Sequence, residues 1–222
     1  MKLFIDSANL SEVSDCLARG VVSGITTNPS ILAKEPKTDF VAHIKKIAML
    51  CHEHKQLVPL SVEVFVREAK DMVAQAVELV DKIGYENINI KVPIGWDELE
   101  VIRVLVARGI RVNCTAIFSE AQAILAANAG ATYVSIFMGR LKDVGGDPTF
   151  VISNTRKVLD QAGSKSQIIV GSIRHARDIT DAHLAGAHIV TAGLALLKNG
   201  VLHPQTDKSV DGFLSDFQKW LK

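Results

Sequence analysis

The sequence predicts a single closed (β/α)8 barrel, the TIM-barrel architecture, with a helix appended at its C-terminal end. Three observations predict it. About eight short apolar or alternating runs recur along the chain, helical periodicity fills the stretches between them, and no region of a second domain's size is left over in 222 residues. Regular alternation of strand and helix makes the sheet parallel. Its closure into a barrel is favoured by the number of units, with an open doubly wound sheet as the alternative. Barrels of this kind occupy roughly 200–250 residues, so one domain is expected to fill residues 1–222 and to carry the chemistry on the barrel itself.

Each strand can be read for direction as well as place, because successive side chains face opposite ways and residues two apart share a face. The first run, 3–6, puts Phe4 with Asp6, and the second, 24–27, leads from Thr26 to Asn28. In the third, 60–66, Leu60, Val62, Val64 and Val66 suit the helix side, which turns Ser61, Glu63 and Phe65 inward. The helical stretch that follows, 69–83, carries Met72, Val73, Ala76, Val77, Leu79 and Val80 as one apolar stripe. The fourth run, 88–92, alternates Ile88, Ile90 and Val92 with Asn89 and Lys91, so Lys91 points into the barrel near the end of its strand. The fifth, 112–117, places Val112, Cys114 and Ala116 outward with Asn113 and Thr115 inward. In the sixth, 132–137, Val134 and Ile136 face out and Tyr133, Ser135 and Phe137 face in. The seventh, 168–171, is followed by Ser172 and Arg174, which alternation groups together, and the eighth is 188–191. A last helix, from about residue 207, spaces Val210, Phe213, Leu214, Phe217, Trp220 and Leu221 at helical intervals.

Composition narrows the function. A net charge of +1, from 25 Lys and Arg against 24 Asp and Glu, offers no field to collect nucleic acid. Asp6 interrupts the first apolar run before a signal or membrane segment can form, so a cytoplasmic protein without membrane contact is expected. The three cysteines, Cys16, Cys51 and Cys114, are scattered and odd in number, as reduced thiols are. The turn Ser7-Ala8-Asn9-Leu10-Ser11 has no glycine for a dinucleotide fingerprint, and no Walker-type loop occurs. Cys51-His52-Glu53-His54 lacks the His-Glu-x-x-His spacing and reads as a solvated helix end.

Taken singly, each inward polar residue has an ordinary structural explanation. Together they place a lysine, two carboxylates, two amides and several hydroxyls inside one small barrel, where unpaired polar burial is costly. An exposed lysine is neutral in roughly one molecule in 2,500 at pH 7, and burial raises that fraction. Lys91 can thus serve as a nucleophilic amine that forms a Schiff base with a carbonyl, an electron sink for breaking an adjacent carbon–carbon bond. Asp6 suits the accompanying proton transfer, and Glu63 with Thr115 can orient a water. Ser172 and Arg174, after the seventh strand, and Arg140, after the sixth, suit an anion such as a phosphate.

These residues carry a resemblance. Phe4-Ile5-Asp6-Ser7-Ala8-Asn9, Gly24-Ile25-Thr26-Thr27-Asn28-Pro29-Ser30, Ile90-Lys91-Val92-Pro93, Tyr133-Val134-Ser135-Ile136-Phe137-Met138-Gly139-Arg140 and Ser172-Ile173-Arg174-His175 resemble the small-subunit branch of the transaldolase family, which includes the fructose-6-phosphate aldolases. The resemblance spans essentially the whole chain. It implies Lys91 as the Schiff-base residue, Asp6 as proton carrier, and Glu63 and Thr115 around a catalytic water. It also implies that Asn28, Asn113 and Ser135 hold the dihydroxyacetone part, with Thr26 and Phe137 lining the same site, and that Arg140, Ser172 and Arg174 contact phosphate. No metal or organic cofactor is implied, and the expected assembly is a homo-pentamer or homo-decamer reached through the last helix.

Within that family the pair at positions 63 and 137 is glutamine and tyrosine in the aldolase branch and glutamate and phenylalanine in transaldolases. This chain has Glu63 and Phe137, so transfer of a dihydroxyacetone unit from fructose 6-phosphate or sedoheptulose 7-phosphate to an aldose phosphate, a step of the pentose phosphate pathway, is expected ahead of fructose-6-phosphate cleavage. The chain departs from the family's usual pattern at Ile136 (proline), Ala116 (leucine), Ala192-Gly193 (a residue and proline) and Lys142 (aspartate). A relative acting on a sulfonated ketose would keep the lysine and alter the anion end. A sugar-phosphate isomerase would use Glu63 as base, and a non-catalytic sugar-phosphate-binding barrel would not need Lys91, Asp6 and Glu63 together.

Overall fold

The computed structural model describes residues 1–221. Its elements follow in the order β1 (Lys2–Asp6), α1 (Leu10–Ala18), β2 (Ile25–Thr26), α2 (Pro29–Leu32), α3 (Phe40–Glu53), β3 (Leu60–Glu63), α4 (Ala69–Ile83) and β4 (Ile88–Pro93). Then come α5 (Trp96–Ala107), β5 (Val112–Ile117), α6 (Glu120–Asn128), β6 (Tyr133–Phe137), α7 (Met138–Asp143), α8 (Pro148–Gln161) and β7 (Gln167–Gly171). The chain finishes with α9 (Ala176–Leu184), β8 (Ile189–Ala192), α10 (Leu194–Asn199) and α11 (Pro204–Trp220). All strand pairs are parallel, each strand pairs with the next, and β8 returns to β1, which closes the barrel and disposes of the open-sheet alternative.

Alternation sorts the strand side chains into two cores. Outward residues such as Ile5, Ile25, Leu60, Ile90 and Ile136 pack against helix residues including Leu17, Ile44, Ile47, Ile102 and Leu105, all fully buried. Inside the barrel a separate apolar cluster, Phe4, Tyr133, Ile169 and Ile189, fills the N-terminal end. Phe4 and Tyr133 meet edge to face at 6.3 Å. Gly24 makes this layer possible, since a Cβ there would lie 2.3 Å from the Phe4 ring. Above it the inward positions turn polar: Asp6, Thr26, Ser61, Asn89, Lys91, Asn113, Thr115, Ser135 and Thr191.

The helices begin where short polar side chains satisfy their free N–H groups. Asn9 accepts from Ser11 and Glu12 at the start of α1, and Asp147 accepts from Thr149 and Phe150 ahead of Pro148 in α8. Among the described residues no helix is long and apolar enough to cross a membrane. α11 stands apart: every described residue from Pro204 onward is exposed, with Val210, Phe213, Leu214, Phe217 and Trp220 along it.

In β3 and β5, side-chain directions differ from strict alternation. β3 ends at Glu63, so Phe65 is not inward; it lies on the surface, edge to face with Phe40. In β5, Ala116 takes a φ of 59° and the register against β6 shifts, so that Ile117, not Ala116, fills the outward position opposite Ile136. The extra residue is a bulge, which strand periodicity cannot foresee.

Candidate active site

The inward polar residues converge on a cleft at the C-terminal ends of the strands. β1 and β2 bring Asp6, Thr26 and Asn28 to it, β4 brings Lys91, and β5 brings Asn113 and Thr115. Ser135 and Phe137 come from β6, Arg140 from α7 and Ser172 from the segment after β7. Gly171 and Thr191, at strand positions that the sequence marks with no role, also line it.

Lys91 is buried, and its Nζ lies 2.9 Å from Glu63 Oε2 and donates to the Thr27 carbonyl at 3.0 Å. Register explains the first contact, because Glu63 and Lys91 are directly paired on neighbouring strands. A buried ammonium is tolerated when its protons have such partners. Before the amine can attack a carbonyl it must lose a proton, and the Glu63 carboxylate is the acceptor at hand. Glu63 stands beside Lys91, outside the cleft lining.

Asp6 accepts a 2.6 Å hydrogen bond from Thr26 Oγ1, and Thr191 supplies the next link at 2.6 Å, donating to Thr26. Burial holds the Asp6 carboxyl above its ordinary range, although the Thr26 hydroxyl and the Lys91 charge pull the other way. A second chain runs from Ser135 Oγ to Asn113 Oδ1 at 2.6 Å and from Asn113 Nδ2 to Ser61 Oγ at 3.1 Å. Asn28 uses Oδ1 to cap α2 through Ile31 N–H, which leaves its amide protons for a ligand. Thr115 Oγ1 is buried with no protein partner, although the residue lines the cleft. A hydroxyl in that state is suited to hold a water or substrate oxygen.

At the other end, Ser172 departs from alternation. Its φ of 58° turns the chain out of the pleat, and its Oγ accepts from Arg140 N–H at 3.2 Å. Gly139 N–H donates to the Ser172 carbonyl at 2.9 Å, an approach that a side chain at 139 would block. The Arg140 guanidinium stacks over Phe137, 5.1 Å from the ring centre. Arg174 does not line the cleft: its guanidinium is half exposed and bound to Asp143 at 2.8 Å. Asp178, which nothing in the sequence distinguishes from other polar helix residues, is buried and accepts from Arg174 N–H and His175 N–H, both at 3.0 Å.

Residues 3–222 match the family described as Transaldolase/Fructose-6-phosphate aldolase. A "Probable transaldolase" of Alkaliphilus metalliredigens (strain QYMF) is 40% identical over 222 residues, covering 100% of both chains. One from Desulfosudis oleivorans (strain DSM 6200 / JCM 39069 / Hxd3) is 41% identical and covers 99% of each. "Probable transaldolase 2" of Listeria monocytogenes serovar 1/2a (strain ATCC BAA-679 / EGD-e) is 42% identical over 98% of this chain and 96% of that one. A solved structure, thiamine phosphate pyrophosphorylase from Pyrococcus furiosus, is similar in fold alone, with a TM-score of 0.60 and 12% identity over 86% of this chain and 84% of its own. With the family pattern matched from end to end, the chain belongs to the transaldolase/fructose-6-phosphate aldolase family.

Proposed function

We propose that this protein is a Schiff-base transaldolase that moves a dihydroxyacetone unit from a ketose phosphate to an aldose phosphate in the cytoplasm. The observation that carries the proposal is the buried Lys91 amine in the cleft, beside one carboxylate and near a second whose proton affinity is raised. Lys91 adds to the ketose C2 carbonyl, and loss of water gives the iminium. Asp6 takes the proton of the C4 hydroxyl as the C3–C4 bond breaks, and the bonding electrons pass to the iminium, leaving an enamine and a free aldose phosphate. An acceptor aldehyde then receives the C3 electrons, Asp6 returns the proton to its oxygen, and water releases the new ketose.

Glu63 and Thr115 hold the water of the addition and release steps, while Asn28, Asn113 and Ser135 hold the hydroxyls of the three-carbon unit. Arg140, Ser172 and Arg174 receive the phosphate; for Arg174 this requires exchange of Asp143 for the incoming anion. Phe137 offers no hydroxyl to activate water against the enamine, which favours transfer over release. Borohydride added with fructose 6-phosphate is expected to fix an adduct on Lys91, located by peptide mass mapping. Turnover is expected to be much faster with erythrose 4-phosphate than without it. Labelling at another lysine removes the mechanism, and acceptor-independent release of dihydroxyacetone moves the protein to the aldolase branch.

A further inference from the structure

The two segments at the anion end are joined by more than the Gly139 and Arg140 amides. Lys142, on α7, reaches Asp178, in the first turn of α9, with Nζ 2.6 Å from Oδ1. The other Asp178 oxygen holds the N–H groups of Arg174 and His175. The Asp178 side chain is 4% exposed and that of Lys142 42%, so the carboxylate is buried and its counter-charge sits at the rim. A buried carboxylate is tolerated where a counter-charge and hydrogen bonds meet it, and Asp178 has both. An aspartate at 142, the residue the family resemblance leads one to expect, would face Asp178 as a like charge.

The held segment is under strain. Ser172 sits at a φ of 58°, a left-handed region that is unfavourable for a residue with a side chain and persists only where surrounding contacts fix it. The contacts around it are the Gly139 and Arg140 amides on Ser172 itself and, two and three residues downstream, the Asp178 hydrogen bonds to the amides at 174 and 175. Neither Lys142 nor Asp178 lines the cleft. The neighbouring Arg174–Asp143 pair is about half exposed at both ends and contributes little rigidity.

We infer that Asp178, clamped by Lys142, is a positioning residue for anion recognition: it locks the 172–175 turn so that the Ser172 hydroxyl stays aimed into the cleft and Arg174 stays within reach of it. This rests on the cleft's phosphate end as proposed above. A merely structural pair would, on removal, weaken every ligand alike, whereas a positioning pair affects the anion end alone.

The test compares the unaltered protein with Lys142→Met, Lys142→Arg and Asp178→Asn, using two probes. Titration with inorganic phosphate, followed through the amide resonances of Arg140 and Ser172, reports the anion end. Borohydride trapping with free dihydroxyacetone reports Lys91. Lys142→Met and Asp178→Asn are expected to weaken phosphate about tenfold while adduct formation stays within about twofold, and Lys142→Arg is expected to restore phosphate binding. Unchanged phosphate affinity in Lys142→Met, no restoration by arginine, or equal losses with both probes overturns the inference. An unaltered protein that binds no phosphate overturns it as well. If Asp178→Asn does not fold, Lys142→Met decides, since its side chain is partly exposed. If the unaltered protein forms no dihydroxyacetone adduct, the Schiff-base mechanism fails, and the phosphate comparison still decides the role of Asp178.

Discussion

Burial raises the proton affinity of Asp6 even with the Thr26 hydroxyl and the Lys91 charge opposing it. The folded protein therefore binds that proton more tightly than the unfolded chain. The associated stability is present at low pH and is lost as pH rises through the folded pKa. Asp6→Asn removes the charge and keeps an oxygen for Thr26 to donate to. By calorimetry its thermal midpoint is expected to exceed that of the unaltered protein, by more at pH 8 than at pH 5. Turnover is expected to fall about 10²–10⁴-fold with loss of the proton carrier. In the unaltered protein the acidic limb of the rate profile should sit above the ordinary aspartate value of about 3.9; a limb at or below it would deny Asp6 that role. Asp6, Lys91, Asn113 and Ser135 were legible in the sequence because a strand's pleat converts spacing into direction. Thr191 obeys the same rule but sits in a short run with nothing beside it to mark it as more than a core hydroxyl. Arg174 was placed at the anion end by its spacing from Ser172, yet its guanidinium rests on Asp143, a partner that comes from a different segment.

Among the elements, the order and direction of all eight strands could be read from periodicity, whereas the places where the backbone leaves its pleat could not. Ala116 and Ser172 both adopt left-handed φ values without being glycine. Nothing local requires this of an alanine or a serine, so the cause lies in contacts made by neighbouring elements. The contact between α7 and the segment after β7 can be tested at Gly139, where a Cβ would lie 2.2 Å from the Ser172 carbonyl and 2.7 Å from Arg174 Nε. Backbone cannot yield as a flexible side chain does. Gly139→Ala is expected to cost about 1–3 kcal/mol in denaturant unfolding and to raise the Michaelis constant for a phosphorylated ketose. Gly193→Ala, where a Cβ meets nothing within 4 Å, is the control and should change neither. Equal behaviour of the two variants would mean that the 139–172 approach is dispensable.

For the whole molecule, α11 raises the question of what covers it. Phe213, Phe217 and Trp220 are each more than half exposed, and Phe217 and Trp220 stack at 5.7 Å. Apolar area on this scale marks an interaction surface, and we propose that it docks on neighbouring copies in a pentamer or decamer. Light scattering is expected to find that large assembly at micromolar concentration and a smaller species once residues 204–222 are removed. A full-length monomer would refute the proposal. The helix and its stripe were legible from spacing, whereas its reach toward a neighbour was expected only from the family resemblance, because an apolar stripe reads the same whichever chain receives it.

The floor of the barrel has a kinetic corollary. Phe4, Tyr133, Ile169 and Ile189 stopper the N-terminal end beneath Lys91, so the reaction chamber has one doorway. In the transfer proposed above, a leaving aldose backs out before an acceptor comes in by the same route. Donor and acceptor then take turns, and double-reciprocal rate plots for the two should run parallel.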